Sequence, residues 1–338
     1  MSDPDRSDWR LLSLAPVPPE RVTTWFGAIP GLRIDLPAER TPEAVRAAIG
    51  HADIIVTDWS GALRVDAAEV ELARRLSFLM SPSVGLDNVD LEALTAAGVV
   101  VANTAGLNAP SVAEWCLGAA FAVARSTVWV DARIRAGDWP QLEMAERGST
   151  EIAGLRVGVV GFGAVGSRVA ALFRAIGCDV AYWTRHRRSA EEEGGATWMR
   201  LPDLATRSDI LVVNVSLTPE TRGLVDAAIL TELPRGAIVV DASRGGVVDH
   251  LALLGAIETG SLRGAAIDVF EHEPLEPGSP LRRSDRILLS SHAASTTAQS
   301  LARIFSLVTD NVRRAVSGEP IRSVVNGLGP VVSRRAGG

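Results

Sequence analysis

The stretch LRVGVVGFGAVGSRVAALFRAIG, residues 155–177, places an apolar run, a glycine-rich turn and an amphipathic pattern end to end. The apolar run predicts a buried strand, and the residues after Gly166 carry apolar side chains at helical spacing. Between them, Gly161, Gly163 and Gly166 form a GxGxxG turn. In such a turn the first glycine permits the tight bend and the second lets the backbone approach a pyrophosphate. The third permits close helix–strand packing, and the helix N-terminus then faces the phosphates. A glycine turn without a ligand is the plain alternative. The strand before it and the helix after it favour dinucleotide binding.

The same alternation continues on both sides. Downstream, CDVAYW (178–183), DILVVNV (209–215), AIVVDAS (237–243), GAAIDV (264–269) and RILLSS (286–291) read as further strands. With the first, they make the six strands of a dinucleotide-binding domain. Upstream, WRLLSLA, GLRIDL, ADIIVTD, LSFLMSPS and GVVVANT alternate with helix-like PEAVRAAIG, AAEVELARR and LEALTAAG. That pattern predicts a second, smaller doubly wound parallel sheet. A long helix is expected from about Ser111 to Ala136, with Ser111 and Glu114 spaced as a capping box. Residues 297–318 read as one amphipathic helix.

Composition removes several function classes. At 338 residues the chain is long enough for two domains, and its net charge of -6 argues against a binder of phosphate backbones. All 34 basic residues are arginine, so no lysine serves as phosphate clamp, Schiff base or general base. Tyr182 is the only tyrosine, which excludes dehydrogenases built on a Tyr/Lys pair. Cys116 and Cys178 have no metal-ligand spacing and fit a reducing cytoplasm; no metal site is expected. The opening MSDPDRSDWR lacks the order of a signal peptide, and VAEWCLGAAFAVAR is too short to cross a bilayer.

Three ionisable residues follow apolar runs: Arg244 in IVVDASRG, Glu273 in GAAIDVFEHEP and His292 in ILLSSHAAS. If those runs are parallel strands of one sheet, all three reach its carboxyl-end crevice, where open α/β sheets bind ligands. Reducing a 2-keto acid needs a cation on the carboxylate and a proton donor at the carbonyl oxygen. The planar fork of Arg244 suits the first task, the imidazole of His292 the second, and Glu273 would orient the ring. Each has an ordinary alternative. Arg244 is equally placed to pair with Asp241 or Asp249, Glu273 to be a loop carboxylate, and His292 to cap the next helix. His272 competes for the base role.

At the end of the second strand, an NAD-specific site usually carries an acid for the ribose 2′-hydroxyl. Here the slot holds Thr184, followed by Arg185, His186, Arg187 and Arg188. Guanidinium groups grip a 2′-phosphate bidentately, so NADP(H) is the expected cofactor, with NAD(H) possible. The alternative is a solvated basic loop paired with Glu191, Glu192 and Glu193.

From about Ala52 to Arg314 the chain resembles the D-isomer-specific 2-hydroxyacid dehydrogenases, leaning toward their glyoxylate/hydroxypyruvate reductases. The matching segments are SVGLDNVDLEAL, GVVVANTAGLNAPSVAEW, IRAGDW, VGVVGFGAVGSRVA, LTPETRGLVD, GAIVVDASRGGVVD, AAIDVFEHEPL and SSHAAS. The resemblance implies a flavodoxin-like substrate domain, residues 1–104 and 293–338, split around an inserted Rossmann cofactor domain at 105–292. It also implies hinge closure over the substrate and a homodimer built through the cofactor domains. The family's catalytic Arg, Glu and His fall on Arg244, Glu273 and His292, and its carboxylate-binding loop on Ser83, Val84 and Gly85. Its nicotinamide-side aspartate falls on Asp268, and its other cofactor contacts on Ala164, Val165, Ala242, Ser243 and Ala294.

There are departures from the family pattern. Thr184 replaces the usual acid, Asn214-Val215-Ser216 a common His-x-Pro, and HAAS a frequent glycine pair. Asp58 and Trp59 follow a first-domain strand and are expected near the substrate, Asp58 disfavouring a phosphorylated acid and Trp59 lining an apolar wall. Surface loop residues are the alternative there. The expected function is hydride transfer between NADP(H) and C2 of a 2-keto or 2-hydroxy acid, in the cytoplasm. The competing readings are a nucleotide-sensing corepressor-like regulator without catalysis and a biosynthetic dehydrogenase of an unusual acid.

Overall fold

A computed structural model describes residues 8–335. The chain divides into two compact units, one running to Asn108 and resuming at Ala298, the other spanning Ala109–Thr297. Both are α/β units around wholly parallel sheets.

The first unit alternates β1 (Trp9–Ser13), α1 (Pro19–Phe26), β2 (Leu32–Asp35), α2 (Pro42–Ile49), β3 (Ile54–Val56), α3 (Ala67–Leu72), β4 (Phe78–Met80), α4 (Leu91–Ala96) and β5 (Val100–Ala102). The sheet order β2-β1-β3-β4-β5 is that of a flavodoxin-like doubly wound sheet. Its central strands are buried on both faces, and alternate residues enter opposite cores: Ile55 and Leu79 one way, Ile54, Val56, Phe78 and Met80 the other. Helix starts follow local chemistry. Thr41 accepts the Ala44 amide ahead of α2, and Asp90 accepts the Ala93 amide ahead of α4.

The second unit contains α5 (Ala109–Ala124), α6 (Thr127–Arg135), α7 (Gln141–Arg147), β6 (Arg156–Val160), α8 (Ala164–Ala175), β7 (Asp179–Trp183), α9 (Ala190–Glu193), β8 (Thr197–Trp198) and α10 (Leu201–Thr206). It continues with β9 (Ile210–Val213), α11 (Ala227–Glu232), β10 (Ala237–Asp241), α12 (His250–Glu258), β11 (Leu262–Ile267) and β12 (Ile287–Leu289). The sheet order is β12-β11-β10-β9-β6-β7-β8. The chain reverses direction across the sheet between β6 and β9, so the glycine turn after β6 opens on the switch point. Helix α13 (Ala298–Ser317) then returns to the first unit, packing Ile304, Val308, Val312 and Ala315 beside Phe78 and Met80. Among the described residues no helix is long and apolar enough to cross a membrane.

Several expectations change. The second sheet has seven strands rather than six, because short β8 adds to its edge. The long helix expected from Ser111 to Ala136 is broken. In a continuous helix the Ala124 carbonyl would accept the amide four residues on; here it accepts the Thr150 amide and the Arg263 guanidinium, and Ser126 turns left-handed with φ 49°. Ser111 is no cap either: it lies inside α5, with its hydroxyl on Thr297 at 2.8 Å. That bond, with the Ala293 and Ala294 amides held by Asp268, keeps the chain in the second unit to Thr297. The joins at 108/109 and 297/298 therefore lie beyond the 104/105 and 292/293 read from sequence.

Candidate active site

The glycine turn is built as its chemistry requires. Gly161 has φ 93°, and a Cβ there would meet the Asn214 carbonyl at 2.8 Å. A Cβ on Gly166 would meet the Gly161 carbonyl at 1.9 Å, so only glycine lets α8 start this close to β6. A Cβ on Gly163 would meet nothing within 4 Å. Gly163 is the N-cap of α8 and offers no side chain to its amides, so Ala164 and Val165 begin a helix open to an outside anion. At the end of β9, the Asn214 Nδ2 is buried without a partner among the described residues. A close-approach glycine, an uncapped helix start and an orphaned buried donor fit a dinucleotide's phosphates.

Beyond β7 the arginine run does not act as one group. Arg187 holds Glu193 through two bonds, 2.8 and 3.2 Å, and buried Glu193 also accepts the Tyr182 hydroxyl. Arg187 is thus engaged by one of the acids in the alternative reading. Thr184 turns its hydroxyl to the His186 carbonyl. Arg185 is exposed and lies 4.0 Å from Glu220, also exposed, a contact worth little in water. Arg188 is exposed.

The three ionisable residues are all on the carboxyl side of neighbouring strands β10, β11 and β12. His292 Nδ1 lies 2.8 Å from Glu273 Oε2, and Glu273 Oε1 accepts the Phe270 amide at 2.9 Å. Burial pushes the Glu273 carboxyl up. The bonds from His292 and the Phe270 amide, aided by the charges of His292 and Arg244, outweigh it and hold the group below its ordinary value. A carboxylate on Nδ1 fixes that nitrogen as the donor, leaving Nε2 as the proton-transfer atom. His292 Nε2 has no partner among the described residues. His272 is exposed beside this pair and takes no part in it.

The backbone beneath His292 is unusual. His292 has φ 56°, a left-handed conformation uncommon outside glycine. Asp268 holds it there: the Asp268 carbonyl accepts the His292 amide at 2.7 Å, and its two carboxylate oxygens accept the Ala293 and Ala294 amides at 2.8 and 3.0 Å. Asp268 and Ala294 are buried. Both thus serve to brace the backbone under His292.

Arg244 sits on a loop held in the same manner. Its Nη1 donates to the Ser243 carbonyl at 2.8 Å. Buried Ser243 gives its amide and hydroxyl to Asp241, whose other oxygen meets His250 Nε2 at 2.9 Å. Ala242 donates its amide to the Val213 carbonyl. Asp249 caps α12 through the Leu251 and Ala252 amides.

In the first unit, Ser83, Val84 and Gly85 follow β4. Their carbonyls are taken by the Thr104 amide, the Asn103 side chain and the Ser83 hydroxyl respectively. The amides of Val84 and Gly85 have no acceptor among the described residues. Asp58 departs from expectation. It is buried and bonded to Arg40 at 2.8 Å, to Ser60 and to the Leu63 amide, so its charge is neutralised inside the loop. It braces the turn from within. Next to it Trp59 is partly exposed, its ring 5.5 Å from Phe305, which stacks on Trp25 at 3.9 Å.

The NAD-binding domain model of the D-isomer specific 2-hydroxyacid dehydrogenases matches residues 117–294, more than half of the chain. A glyoxylate reductase of Aeropyrum pernix is 36% identical over 268 residues, 78% of this chain and 80% of that protein. The chain belongs to the D-isomer specific 2-hydroxyacid dehydrogenase family. Within it, a D-3-phosphoglycerate dehydrogenase of Mycobacterium leprae is 37% identical over 288 residues, 85% of this chain. The chain spans 53% of that relative's length, about half. In fold, it superposes on the D-mandelate dehydrogenase of Rhodotorula graminis with a TM-score of 0.86, covering 96% of this chain and 99% of the other at 23% identity. Among the described residues no His, Cys, Asp and Glu cluster could hold a metal ion. Cys116 and Cys178 are free and buried, and burial pushes both thiols up, away from nucleophilic use.

Proposed function

We propose that the chain is a D-2-hydroxyacid dehydrogenase that reduces a 2-keto acid with NADPH, and oxidises the 2-hydroxy acid in reverse. The observation that carries this is the His292–Glu273 pair, with Nε2 open and Arg244 in the same field, at the carboxyl ends of the same sheet whose β6 leads into a glycine turn shaped for a dinucleotide. The cofactor, when bound, supplies or accepts the hydride. Gly161, Gly163, Ala164, Val165 and Gly166 would hold its pyrophosphate, and Ala242, Ser243, Asp268 and Ala294 would line its nicotinamide side. His292 gives its Nε2 proton to the keto oxygen, and takes it back in oxidation. Glu273 stabilises the imidazolium and keeps the ring turned. In the second unit, Arg244 takes the substrate carboxylate; in the first, the loop of Ser83, Val84 and Gly85, with its two open amides, is the candidate carboxylate loop. Trp59 offers an apolar wall for its side chain.

NADP(H) preference now rests on Thr184 in place of an acid and on Arg185 and Arg188, not on Arg187. The names of the relatives suggest small acids, so the test is a screen from glyoxylate and hydroxypyruvate to phenylpyruvate with both cofactors. Turnover of at least one acid, faster with NADPH, is expected. Tight nucleotide binding without turnover of any acid would sink the enzyme reading in favour of a sensor. A kcat/KM favouring NADH would sink only the cofactor preference.

A homodimer through the second unit is part of the same reading. Exposed apolar side chains gather in one segment of it: Phe121, Val128, Ile134, Trp139 and Leu142, the last two about four-fifths exposed. Trp139→Glu should convert a dimer to a monomer by light scattering; a wild-type monomer would refute the assembly. The two unpaired cysteines fit the cytoplasmic location proposed with it.

A further inference from the structure

We propose that His250 is a positioning residue for Arg244, acting through Asp241. The inference rests on the reading of Arg244 as the group that grips the substrate carboxylate.

Asp241 ends β10 and is fully buried, which makes an unpartnered carboxylate there costly. Three donors satisfy it. The Ser243 amide and hydroxyl reach Oδ1 at 3.0 and 2.5 Å, and His250 Nε2 reaches Oδ2 at 2.9 Å. Of these only His250 comes from outside the loop, and its side chain is nearly buried. Its ring packs edge-on against Phe270 at 6.1 Å, and Phe270 donates its amide to Glu273. The loop itself has no room to adjust: a Cβ on Gly245 would meet the Phe270 carbonyl at 2.0 Å.

These contacts form one chain of support. His250 fixes Oδ2, so Oδ1 is presented to Ser243. Ser243 is thereby held, and its carbonyl receives the Arg244 guanidinium at 2.8 Å. His250 touches neither the glycine turn nor, through any bond in the structure, the His292 ring. Its loss should therefore be felt chiefly at the substrate carboxylate, while the glycine turn that would grip the pyrophosphate, and with it most of the cofactor affinity, stays intact.

The test uses His250→Leu, which keeps bulk against Phe270 without a donor, and His250→Gln, which keeps a donor. For His250→Leu the keto-acid KM is expected to rise roughly tenfold, within the range known for displaced positioning groups. Cofactor Kd should stay within about twofold, and hydrogen exchange at the Ser243 and Arg244 amides should quicken. His250→Gln should restore most of the KM. An unchanged KM and exchange rate in His250→Leu, or cofactor affinity falling in step with activity, overturns the proposal. Should the lone buried carboxylate unfold His250→Leu, Asp241→Asn/His250→Leu removes that charge. With Asp241→Asn alone, it tests the coupling. A KM in the double variant no worse than in Asp241→Asn supports action through Asp241, and a further full tenfold loss refutes it. Arg244→Ala in the same assay separates the two levels. If it is crippled while His250→Leu is silent, this inference fails and the reading of Arg244 stands. If Arg244→Ala leaves KM unchanged, that reading itself fails.

Discussion

Asp241 and Asp268 stand at the ends of neighbouring strands, both buried, and both spend their carboxylates on the backbone or loop under a reactive side chain. They do it differently. Asp268 is solvated by two amides, Ala293 and Ala294, far along the chain, and holds His292 in a left-handed conformation. Asp241 is solvated by its near neighbour Ser243 and by an ionisable group, His250. The first brace imposes strain and needs no other side chain. The second imposes none and depends on a helix to complete it. The partly exposed groups proposed as catalytic are thus made precise by buried charges one layer below, and the two braces should fail unequally.

The largest effect should come from removing the group itself. His292→Ala leaves the Asp268 bonds in place but deletes the proposed proton donor. A fall in kcat of about 10²–10⁴ is expected, the usual worth of a general acid–base. Nucleotide Kd should barely move. Equal losses in binding and rate would make His292 structural. Asp268→Asn comes next, because an amide group cannot accept both amides: Ala293 or Ala294 then faces a donor. Roughly 1–3 kcal/mol of stability should go, by urea unfolding. The kcat should fall with it as the left-handed turn relaxes. Asp241→Asn should be milder on both counts, since its remaining oxygen still accepts from Ser243. If Asp241→Asn proves the more damaging, the ranking of the two braces is wrong.

Much of this is legible in the sequence alone. Strands buried on both faces announce themselves as apolar runs, and GFGAVG between a strand and a helix leaves little choice of turn. The trio could be read because strand ends in a parallel sheet converge. What could not be read depends on contacts between distant residues. The break at Ser126 exists because Arg263, 139 positions away, captures the Ala124 carbonyl. Asp268 bracing Ala293 needs the register of β11 on β12, which pairs Ile267 with Leu289. His250 looks like an ordinary helix-start residue until Asp241 is seen under it. Asp58 looked like a pocket acid because Arg40, eighteen positions before it, carries no sequence signal of pairing.

Arg244→Ala tests the product of the Asp241 brace. Losing a charge-assisted bond to a carboxylate is worth about 1.5–3 kcal/mol, so keto-acid KM should rise roughly ten- to hundredfold. An unchanged KM would detach the brace from substrate binding. Glu273→Gln probes the pair that the Asp268 brace aims. The Glu273 carboxyl lies below its ordinary value in the folded chain, so its stabilising contribution is present above the unfolded value and lost as pH falls through the folded one. The stability gap between wild type and variant should therefore narrow on acidification through that window. The variant's activity should fall by roughly tenfold at neutral pH as the imidazolium loses its partner. A gap that widens toward low pH would contradict the pairing.

The smallest effect extends the comparison to a third buried acid. Glu193 lies beyond β7 and holds both Arg187 and the Tyr182 hydroxyl, so Arg187 is to Glu193 what His250 is to Asp241, a partner side chain that completes a brace. Tyr182 is fully buried and stacks on Phe162 at 4.0 Å, which ties this acid to the core beneath the glycine turn. Arg187→Ala should therefore lower thermal stability slightly and leave the ratio of NADPH to NADH kcat/KM within about twofold, because this guanidinium is already committed to a carboxylate. Arg185→Ala should do the reverse, eroding the ratio with little change in stability, since only an exposed contact at 4.0 Å engages its side chain in the ion pairs of the described residues. If Arg187→Ala erodes the ratio and Arg185→Ala does not, a 2′-phosphate must draw Arg187 off Glu193. The buried acid would then be a latch that opens on cofactor binding rather than a brace.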